Sequence, residues 1–115
     1  MASTSDVLSH HLGAFGQGSV EEIVKDYTDQ SAVLHPDGVV KGLKAIKAFF
    51  GEIFKIFTPG DYTFEMLRQE IQGDVAYILW KAETPKLTVA LGTDTFVVRD
   101  GKISVQTFAG HMIPK

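Results

Sequence analysis

Asp94 is the residue whose sequence neighbours most strongly suggest chemistry. Alternate residues of an extended strand share a face, so the Asp94 side chain is expected beside Phe96 and Val98. A carboxylate among apolar side chains costs free energy unless it is paired, hydrogen-bonded or protonated. The structural interpretation is an aspartate bonded to a nearby hydroxyl or backbone group. The functional interpretation is a carboxyl group with a raised pKa in a ligand pocket.

The strand that contains Asp94 is predicted to form a hairpin with the next strand in the chain. Asp100-Gly101 is typical of a two-residue turn. Continued without interruption, the resulting register places Asp94 opposite Thr107, and opposed residues lie on the same face. The inner face is then predicted to carry Ala90, Asp94, Phe96, Val98, Ile103, Val105, Thr107, Ala109 and His111.

The opposite face of the same hairpin is predicted to be an interface. It is mixed in character and has too little charge for an ordinary outer surface. A second copy of the chain would cover it economically. We therefore expect a homodimer formed through the outer sheet face, with contacts from Thr93, Thr95, Val97, Gln106 and Phe108.

Two histidines are further candidates for acid–base chemistry, since the imidazole pKa lies close to neutral pH. His11 follows Val7 by four residues and precedes Phe15 by four, which places it on the buried face of a predicted helix. His10 lies on the other side. His35 ends a predicted strand at the mouth of a turn. The structural alternatives are a hydrogen-bonded core histidine for His11 and an edge residue bonded to the turn for His35.

Helices are predicted first and strands afterwards. Thr4 or Ser5 is predicted to cap a first helix and Ser19 a second, and a third is predicted to begin after Gly42, because apolar residues recur at helical spacing after each. Alternating or β-branched segments predict strands at 31–35, 39–40, 62–71, 75–84, 87–99 and 103–112. Short turns between successive strands favour an antiparallel sheet, and this order of elements is typical of an α+β domain with helices on one face.

Composition narrows the class of protein. The 115 residues carry a formal net charge of −3 and no cysteine, and 44% of them are hydrophobic. We expect a single domain over residues 1–115, without disulfides or thiolate metal sites. The sequence contains no basic stripe that would indicate nucleic-acid binding. It also contains no apolar run long enough to indicate a membrane span. The N-terminal residues show no signal-peptide pattern, so a cytoplasmic location is expected.

Nearly the whole chain then shows a family pattern. It consists of Gly16-Gln17-Gly18, Glu22-Ile23-Val24, Ala32 to Gly38, Lys41-Gly42, Phe49-Phe50 and Asp94 to Ile103. This pattern resembles the SnoaL-like polyketide cyclase and ketosteroid isomerase branch of the NTF2-like superfamily. The resemblance implies a cone-shaped α+β fold in which three N-terminal helices pack on the concave face of a curved antiparallel sheet, around an apolar pocket.

The resemblance also implies catalytic positions. Ketosteroid isomerase uses an Asp base and an oxyanion hole of a Tyr and a protonated Asp. The base position falls on His35, the Tyr position on His11 and the second Asp position on Asp94. Two of the three residue types differ, so ketosteroid isomerase activity is not expected. The pocket is predicted to be lined by Phe15, Phe49, Phe50, Phe54, Ile78, Trp80, Phe96, Val105 and Thr107.

Three functions are compatible with these residues. The first is a cofactor-independent isomerase, cyclase or lyase in which His35 is the base and Asp94, paired with His11 or protonated, assists beside a carbonyl group. The second is a non-catalytic module that binds a small apolar molecule or dimerises. The third, a metal site of these three residues, has no local ligand motif. We therefore predict a small apolar ligand, no metal and no cofactor.

Overall fold

Three helices precede most of the sheet. The computed structural model describes residues 2–115, in which α1 spans Thr4–Gln17, α2 spans Val20–Ile23 and α3 spans Leu43–Ile56. A 3₁₀ turn at Val24–Asp26 extends α2. The six strands are β1 (Ala32–His35), β2 (Gly38–Lys41), β3 (Thr63–Gln72), β4 (Val75–Glu83), β5 (Leu87–Arg99) and β6 (Lys102–Pro114).

The strands form one curved, mixed sheet in the order β2-β1-β6-β5-β4-β3. The helices pack on its concave face, which confirms the α+β class and the cone-shaped fold. Four strand pairs are antiparallel, but β1 runs parallel to β6. The expectation of a wholly antiparallel sheet is therefore corrected at that pair. Hairpin turns impose antiparallel pairing only between consecutive strands, and β1 and β6 lie far apart in the chain.

Polar residues set the ends of the first two helices. Ser3, rather than the predicted Thr4 or Ser5, caps α1: its hydroxyl accepts a hydrogen bond from the Asp6 backbone at 3.1 Å. Gly18 ends this helix with a φ of 63°, which glycine adopts without strain. Ser19 caps α2 as predicted by accepting from the Glu22 backbone. The two helices therefore meet at a tight corner.

The hairpin between β5 and β6 contains the main departure from the sequence-based register. Positive φ at Asp100 and Gly101 confirms the two-residue turn. Val98 pairs with Ile103, but Val97 pairs with Val105, so Ser104 is an extra residue in a β-bulge. Beyond the bulge the register is displaced by one, and a one-residue displacement exchanges the two faces of a strand.

The consequence is that four predicted inner residues of β6 lie on the convex face and four others replace them on the concave face. Val105, Thr107, Ala109 and His111 face outward, whereas Gln106, Phe108, Gly110 and Met112 face inward. A second bulge near Leu91 similarly leaves Ala90 exposed and buries Val89. The prediction that Gln106 and Phe108 belong to the outer face is therefore wrong.

The core lies between the helices and the concave face of the sheet. Ile46 and Phe50 of α3 are buried together with Val7 and Leu8 of α1, as their helical spacing predicts. They meet the inward side chains of the central strands, among them Phe96. Within residues 2–115, no helix is long and apolar enough to cross a membrane.

Candidate functional site

A cavity of about 440 Å³ opens at one end of the cone, between the helices and the sheet. This volume lies within the usual range for small-molecule sites. Its wall is largely aromatic and aliphatic. The three predicted catalytic residues, His11, His35 and Asp94, all line it. The fold therefore brings one helix residue and two strand residues, far apart in sequence, to a single cavity.

The predicted pocket residues fall into three groups. Phe15, Phe49, Phe50, Ile78 and Trp80 line the cavity. Phe54 and Phe96 are buried in the core behind its wall, because Phe54 packs against Phe15 and Phe50, and Phe96 packs against the ring of His11. Val105 and Thr107 are on the convex face as a result of the bulge at Ser104, and their assignment to the pocket is wrong.

Asp94 is held at the cavity wall by two side chains. Its Oδ1 accepts a hydrogen bond from Trp80 Nε1 at 2.8 Å, and its Oδ2 accepts one from Gln106 Nε2 at 2.8 Å. Burial raises the Asp94 pKa to about 6, although both hydrogen bonds act in the opposite direction. The carboxyl group therefore changes charge near neutral pH.

The hydrogen bonds continue from Gln106 to the first helix. Gln106 Oε1 accepts from the Tyr27 hydroxyl, and Tyr27 Oη lies 3.4 Å from His11 Nδ1. Burial raises the pKa of Tyr27 well above its usual range, so the phenol keeps its proton. A chain of four polar side chains thus runs from Asp94 to His11 beneath the apolar wall.

His11 is a neutral imidazole in an aromatic box. Its ring makes edge contacts with Tyr27, Phe50 and Phe96, at centroid distances of 6.2, 6.0 and 4.9 Å. Burial lowers the His11 pKa to about 3, and the neighbouring His10 lowers it slightly further. His11 is therefore uncharged throughout the physiological pH range.

The indole ring of Trp80 occupies space that is free because Gly92, its neighbour on β5, has no side chain. Gly92 pairs with Trp80 across β4 and β5, and a Cβ atom at Gly92 would lie 2.6 Å from two carbon atoms of the indole ring. Phe64 and Phe108 stack on either side of the indole, at centroid distances of 5.4 and 6.2 Å. This packing directs Nε1 at Asp94.

His35 lies at the mouth of the cavity. Its ring packs on Phe49 at a centroid distance of 5.0 Å. Its Nδ1 accepts a hydrogen bond from the Asp37 backbone at 3.3 Å. A neutral imidazole has one N–H, so this contact places the hydrogen on Nε2. In this form His35 can offer a ligand a donor, but no second lone pair.

Two residues of the network were not identified as site residues from the sequence. Tyr27 follows the helical pattern that begins at Ser19, and that pattern assigned it no polar role. Gln106 was predicted to face outward, because nothing in the sequence marks Ser104 as a bulge. Gly92 and Gly110 are glycines inside strands, but they pair with each other and mark close packing at Trp80 rather than the bulge.

The arrangement provides no shared metal position. Among residues 2–115, no group of three His, Asp or Glu side chains is placed to hold one ion. His11, His35 and Asp94 line the same cavity without forming such a group. The hypothesis of a metal site at these residues therefore lacks the geometry that it required.

The sequence over residues 8–106 matches the family model of the SnoaL-like domain. This segment includes most of the cavity wall together with Asp94, Gln106 and both candidate histidines. The chain belongs to the SnoaL-like domain family. No curated protein shows significant sequence similarity to this SnoaL-like chain.

Solved structures with the same fold are distant in sequence. A protein from Kribbella flavida described as a ketosteroid isomerase has a TM-score of 0.77 and 17% identity, over 94% of this chain and 77% of its own. A protein from Sinorhizobium meliloti described as a polyketide cyclase has a TM-score of 0.76 and 20% identity, over 90% and 93% of the two chains. TerC, co-crystallised with polyporic acid, has a TM-score of 0.78 and 17% identity, over 96% and 92%. At such identities the similarity establishes the fold.

Proposed function

We propose that this SnoaL-like protein binds a small, largely apolar molecule in the cavity and catalyses a proton transfer beside a carbonyl group. Isomerisation, cyclisation and dehydration all contain such a step. The observation that carries the proposal is Asp94, a buried carboxyl group on an apolar cavity wall whose pKa is raised to about 6. Titratable groups with shifted pKa values are concentrated at functional sites. The structural neighbours described as an isomerase and a cyclase support the same reaction class.

Asp94 is a better general base than either histidine. A base works best when its pKa lies near the working pH, and Asp94 meets this condition. His11, with a pKa of about 3, is too weakly basic to remove a proton from carbon. His35 uses its Nδ1 lone pair for the Asp37 backbone. The roles suggested by family position are therefore reversed in this proposal, with Asp94 as the base and His35 as a donor.

The proposed step conserves atoms and charge. The Asp94 carboxylate takes a proton from the carbon next to the ligand's carbonyl group. The electron pair of that C–H bond forms a C=C bond to the carbonyl carbon, and the π pair of the C=O bond moves onto the oxygen. His35 Nε2–H donates a hydrogen bond to the resulting enolate oxygen. Asp94 then returns the proton to carbon, at the same position or at another, and the carboxylate is restored.

A ketone with exchangeable α-hydrogens tests this proposal without knowledge of the natural substrate. We suggest 2-tetralone in D₂O, with exchange followed by ¹H NMR. The protein is expected to accelerate exchange above the buffer rate, and Asp94→Asn to reduce the acceleration by roughly 10²-fold or more. Asp100→Asn, the same change in the exposed hairpin turn, is the matched control and should retain full activity. Equal rates in Asp94→Asn and the unchanged protein would contradict the role of Asp94.

Binding without catalysis is the second candidate function. The observation in its favour is that the buried polar network is complete: within residues 2–115, no buried side-chain nitrogen or oxygen lacks a hydrogen-bond partner. A network of this kind could serve only to shape the cavity. Saturable binding of 2-tetralone, measured by calorimetry, with no acceleration of exchange would favour this alternative.

The homodimer predicted from the sequence is also proposed, with corrected contacts. The convex face of the four central strands is uncharged over a broad area, and its register brings together Ala32, Leu34, Val75, Tyr77, Leu79, Leu91, Thr93, Thr95, Val97, Val105, Thr107 and Ala109. Leu34 and Leu91 are 41% and 45% exposed. An uncharged surface offers no charges that could pair with those of a charged partner. It can pack against the same surface of a second copy, as a two-fold interface requires.

Sedimentation equilibrium tests this interface. Thr95→Lys introduces a charge at the centre of the convex face, between Tyr77 and Thr107. We expect a dimer for the unchanged protein and a monomer for Thr95→Lys, because the interface would bury an unpaired ammonium group from each copy. Gln17→Lys, at the exposed end of α1 on the opposite side of the sheet, should leave the dimer intact. A monomeric unchanged protein would contradict the proposal.

A further inference from the structure

We infer that the cavity selects ligands with a hydroxyl group on an apolar body, such as a phenol or an enol, whose O–H donates a hydrogen bond to Nε2 of His11. This inference rests on the ligand binding proposed above and specifies the chemical class of the ligand. It follows from the direction of each hydrogen bond in the buried network, taken one residue at a time.

The direction is set at Asp94. An ionised carboxylate only accepts hydrogen bonds, so Gln106 must present its Nε2 amide hydrogens to Asp94. The Gln106 carbonyl oxygen then faces Tyr27 and accepts the phenol hydrogen. The opposite orientation of the amide would place two oxygen atoms against each other at Asp94. The indole of Trp80, which can only donate, fixes the other carboxylate oxygen.

The same logic fixes the tautomer of His11. Tyr27 has one hydroxyl hydrogen, which it gives to Gln106, so its oxygen can only accept from His11. His11 must therefore carry its hydrogen on Nδ1. A neutral imidazole has no second N–H, and burial among aromatic rings keeps this imidazole neutral. Its Nε2 is consequently a lone-pair acceptor.

Nε2 of His11 opens onto the cavity. No hydrogen bond to this atom occurs within residues 2–115, yet no nitrogen or oxygen of a side chain in that range is both buried and unpaired. His11 is itself part of the cavity wall and only 4% exposed. The atom is thus an unused acceptor that is reached through the cavity, in an apolar setting where an unmet hydrogen bond is costly.

The cavity therefore offers opposite hydrogen-bonding groups at two places. His35 at the mouth presents an Nε2–H donor, whereas His11 on the inner wall presents an Nε2 acceptor. A carbonyl group suits the first position and a hydroxyl group suits the second. A ligand with a methyl group in place of the hydroxyl would fit by shape but leave Nε2 unpaired, which is the condition under which polar sites discriminate between isosteres.

A matched pair of probes tests the inference. 2-Naphthol and 2-methylnaphthalene have nearly the same shape and differ in one hydroxyl group, and calorimetry gives the affinity of each. We expect the unchanged protein to bind 2-naphthol about threefold to tenfold more tightly, as expected for one hydrogen bond. In His11→Phe, which keeps an aromatic ring at this position, the preference should disappear.

His10→Phe is the control, because it is the same substitution one residue away on the other face of α1. It should retain the preference for 2-naphthol. Equal binding of the two probes by the unchanged protein, or a preference that persists in His11→Phe, would overturn this inference while leaving ligand binding intact. Failure of both probes to bind would overturn the binding proposal and this inference together.

A spectroscopic measurement keeps the test independent of any variant's folding. The ¹⁵N shifts of the histidine side chains at pH 8 distinguish the two neutral tautomers. We expect His11 to carry its hydrogen on Nδ1 and His35 to carry it on Nε2. A hydrogen on Nε2 of His11 would turn the acceptor into a donor and overturn the inference directly.

Discussion

His10 and His11 are consecutive residues on opposite faces of α1, and their surroundings act on them in opposite directions. His10 lies near the surface, where Nδ1 is 2.6 Å from Asp26 and Nε2 is 2.9 Å from Glu22, and these two hydrogen bonds raise its pKa. His11 lies among aromatic rings, and burial lowers its pKa to about 3. One histidine favours the charged form and the other excludes it.

The comparison shows that the residue type alone does not determine the chemistry of a site. His10 joins α1 to the 3₁₀ turn through charge, in a setting open to solvent and salt. His11 joins the same helix to the sheet through a neutral network that ends at Asp94. Only the second setting combines a cavity with polar atoms that a ligand can reach. The contribution of His10 to the stability of the protein should therefore depend on pH in a different way from that of His11.

The largest change in the free energy of unfolding is expected from the titration of His11. Its pKa is 6.5 when exposed in the unfolded chain and about 3 in the folded protein. As the pH falls below 6.5, the unfolded chain takes up a proton that the folded protein excludes, so stability is lost. Between pH 7 and pH 4 the loss should be about 3 kcal/mol. Urea unfolding of the unchanged protein and of His11→Phe at both pH values should show the difference, and parallel pH profiles would contradict this interpretation.

Asp94 should show the opposite dependence. Its folded pKa is raised from 3.8 to about 6, so the unfolded chain releases its proton first as the pH rises. Stability is therefore lost between pH 4 and pH 6, by on the order of 2–3 kcal/mol, and it stays lost above pH 6. Asp94→Asn should remove this loss, so that its free energy of unfolding changes less between pH 4 and pH 8 than that of the unchanged protein. Asp100→Asn should keep the loss, and an unaltered pH dependence in Asp94→Asn would show that the Asp94 carboxyl group is not its origin.

A smaller effect is expected where packing rather than charge holds the network. Gly92→Ala places a Cβ atom against the Trp80 indole, which must shift because it lies between Phe64 and Phe108. We expect a loss of about 1–3 kcal/mol and an altered emission spectrum from Trp80, the only tryptophan. Gly13→Ala, at an open helix position, should instead increase stability slightly. An unchanged emission spectrum in Gly92→Ala would argue against this role of Gly92.

The smallest effect is expected at His10. Its folded pKa is raised, so its contribution is present below pH 6.5 and is lost as the pH rises through the folded pKa. The ring is partly exposed, which limits the contribution to below about 1 kcal/mol. The stability difference between the unchanged protein and His10→Gln should be larger at pH 6 than at pH 9. It should also decrease in 1 M NaCl, and a difference that is independent of salt would be inconsistent with ion pairing.

The sequence predicted the orientation of side chains correctly wherever a helix or strand kept one regular hydrophobic period. Helical spacing placed His11 on the buried face of α1, and Asp100-Gly101 marked the final turn. The prediction of side-chain orientation failed where one extra residue interrupted the alternation along a strand. The bulge at Ser104 displaced β6 by one position, which moved Gln106 into the network and Thr107 out of the predicted pocket. A bulge depends on packing between strands, and no local feature of this segment specified it.

The hydrogen-bond directions were also beyond prediction from sequence. Asp94 was identified as a buried carboxyl group, but its partners come from β4 and β6, and Tyr27 and His11 connect to it only through Gln106. The tautomers of the two cavity histidines depend on these contacts. Family position alone had suggested His35 as the base.

The proposed chemistry requires ligands to reach the inner wall of the cavity beside Asp94. The most direct test is a ¹H–¹⁵N spectrum of the protein titrated with 2-naphthol, because the single indole N–H resonance belongs to Trp80, which donates to Asp94. We predict a saturable shift of this resonance. A resonance that stays in place at saturation, with shifts confined to residues of the convex face, would contradict the claim.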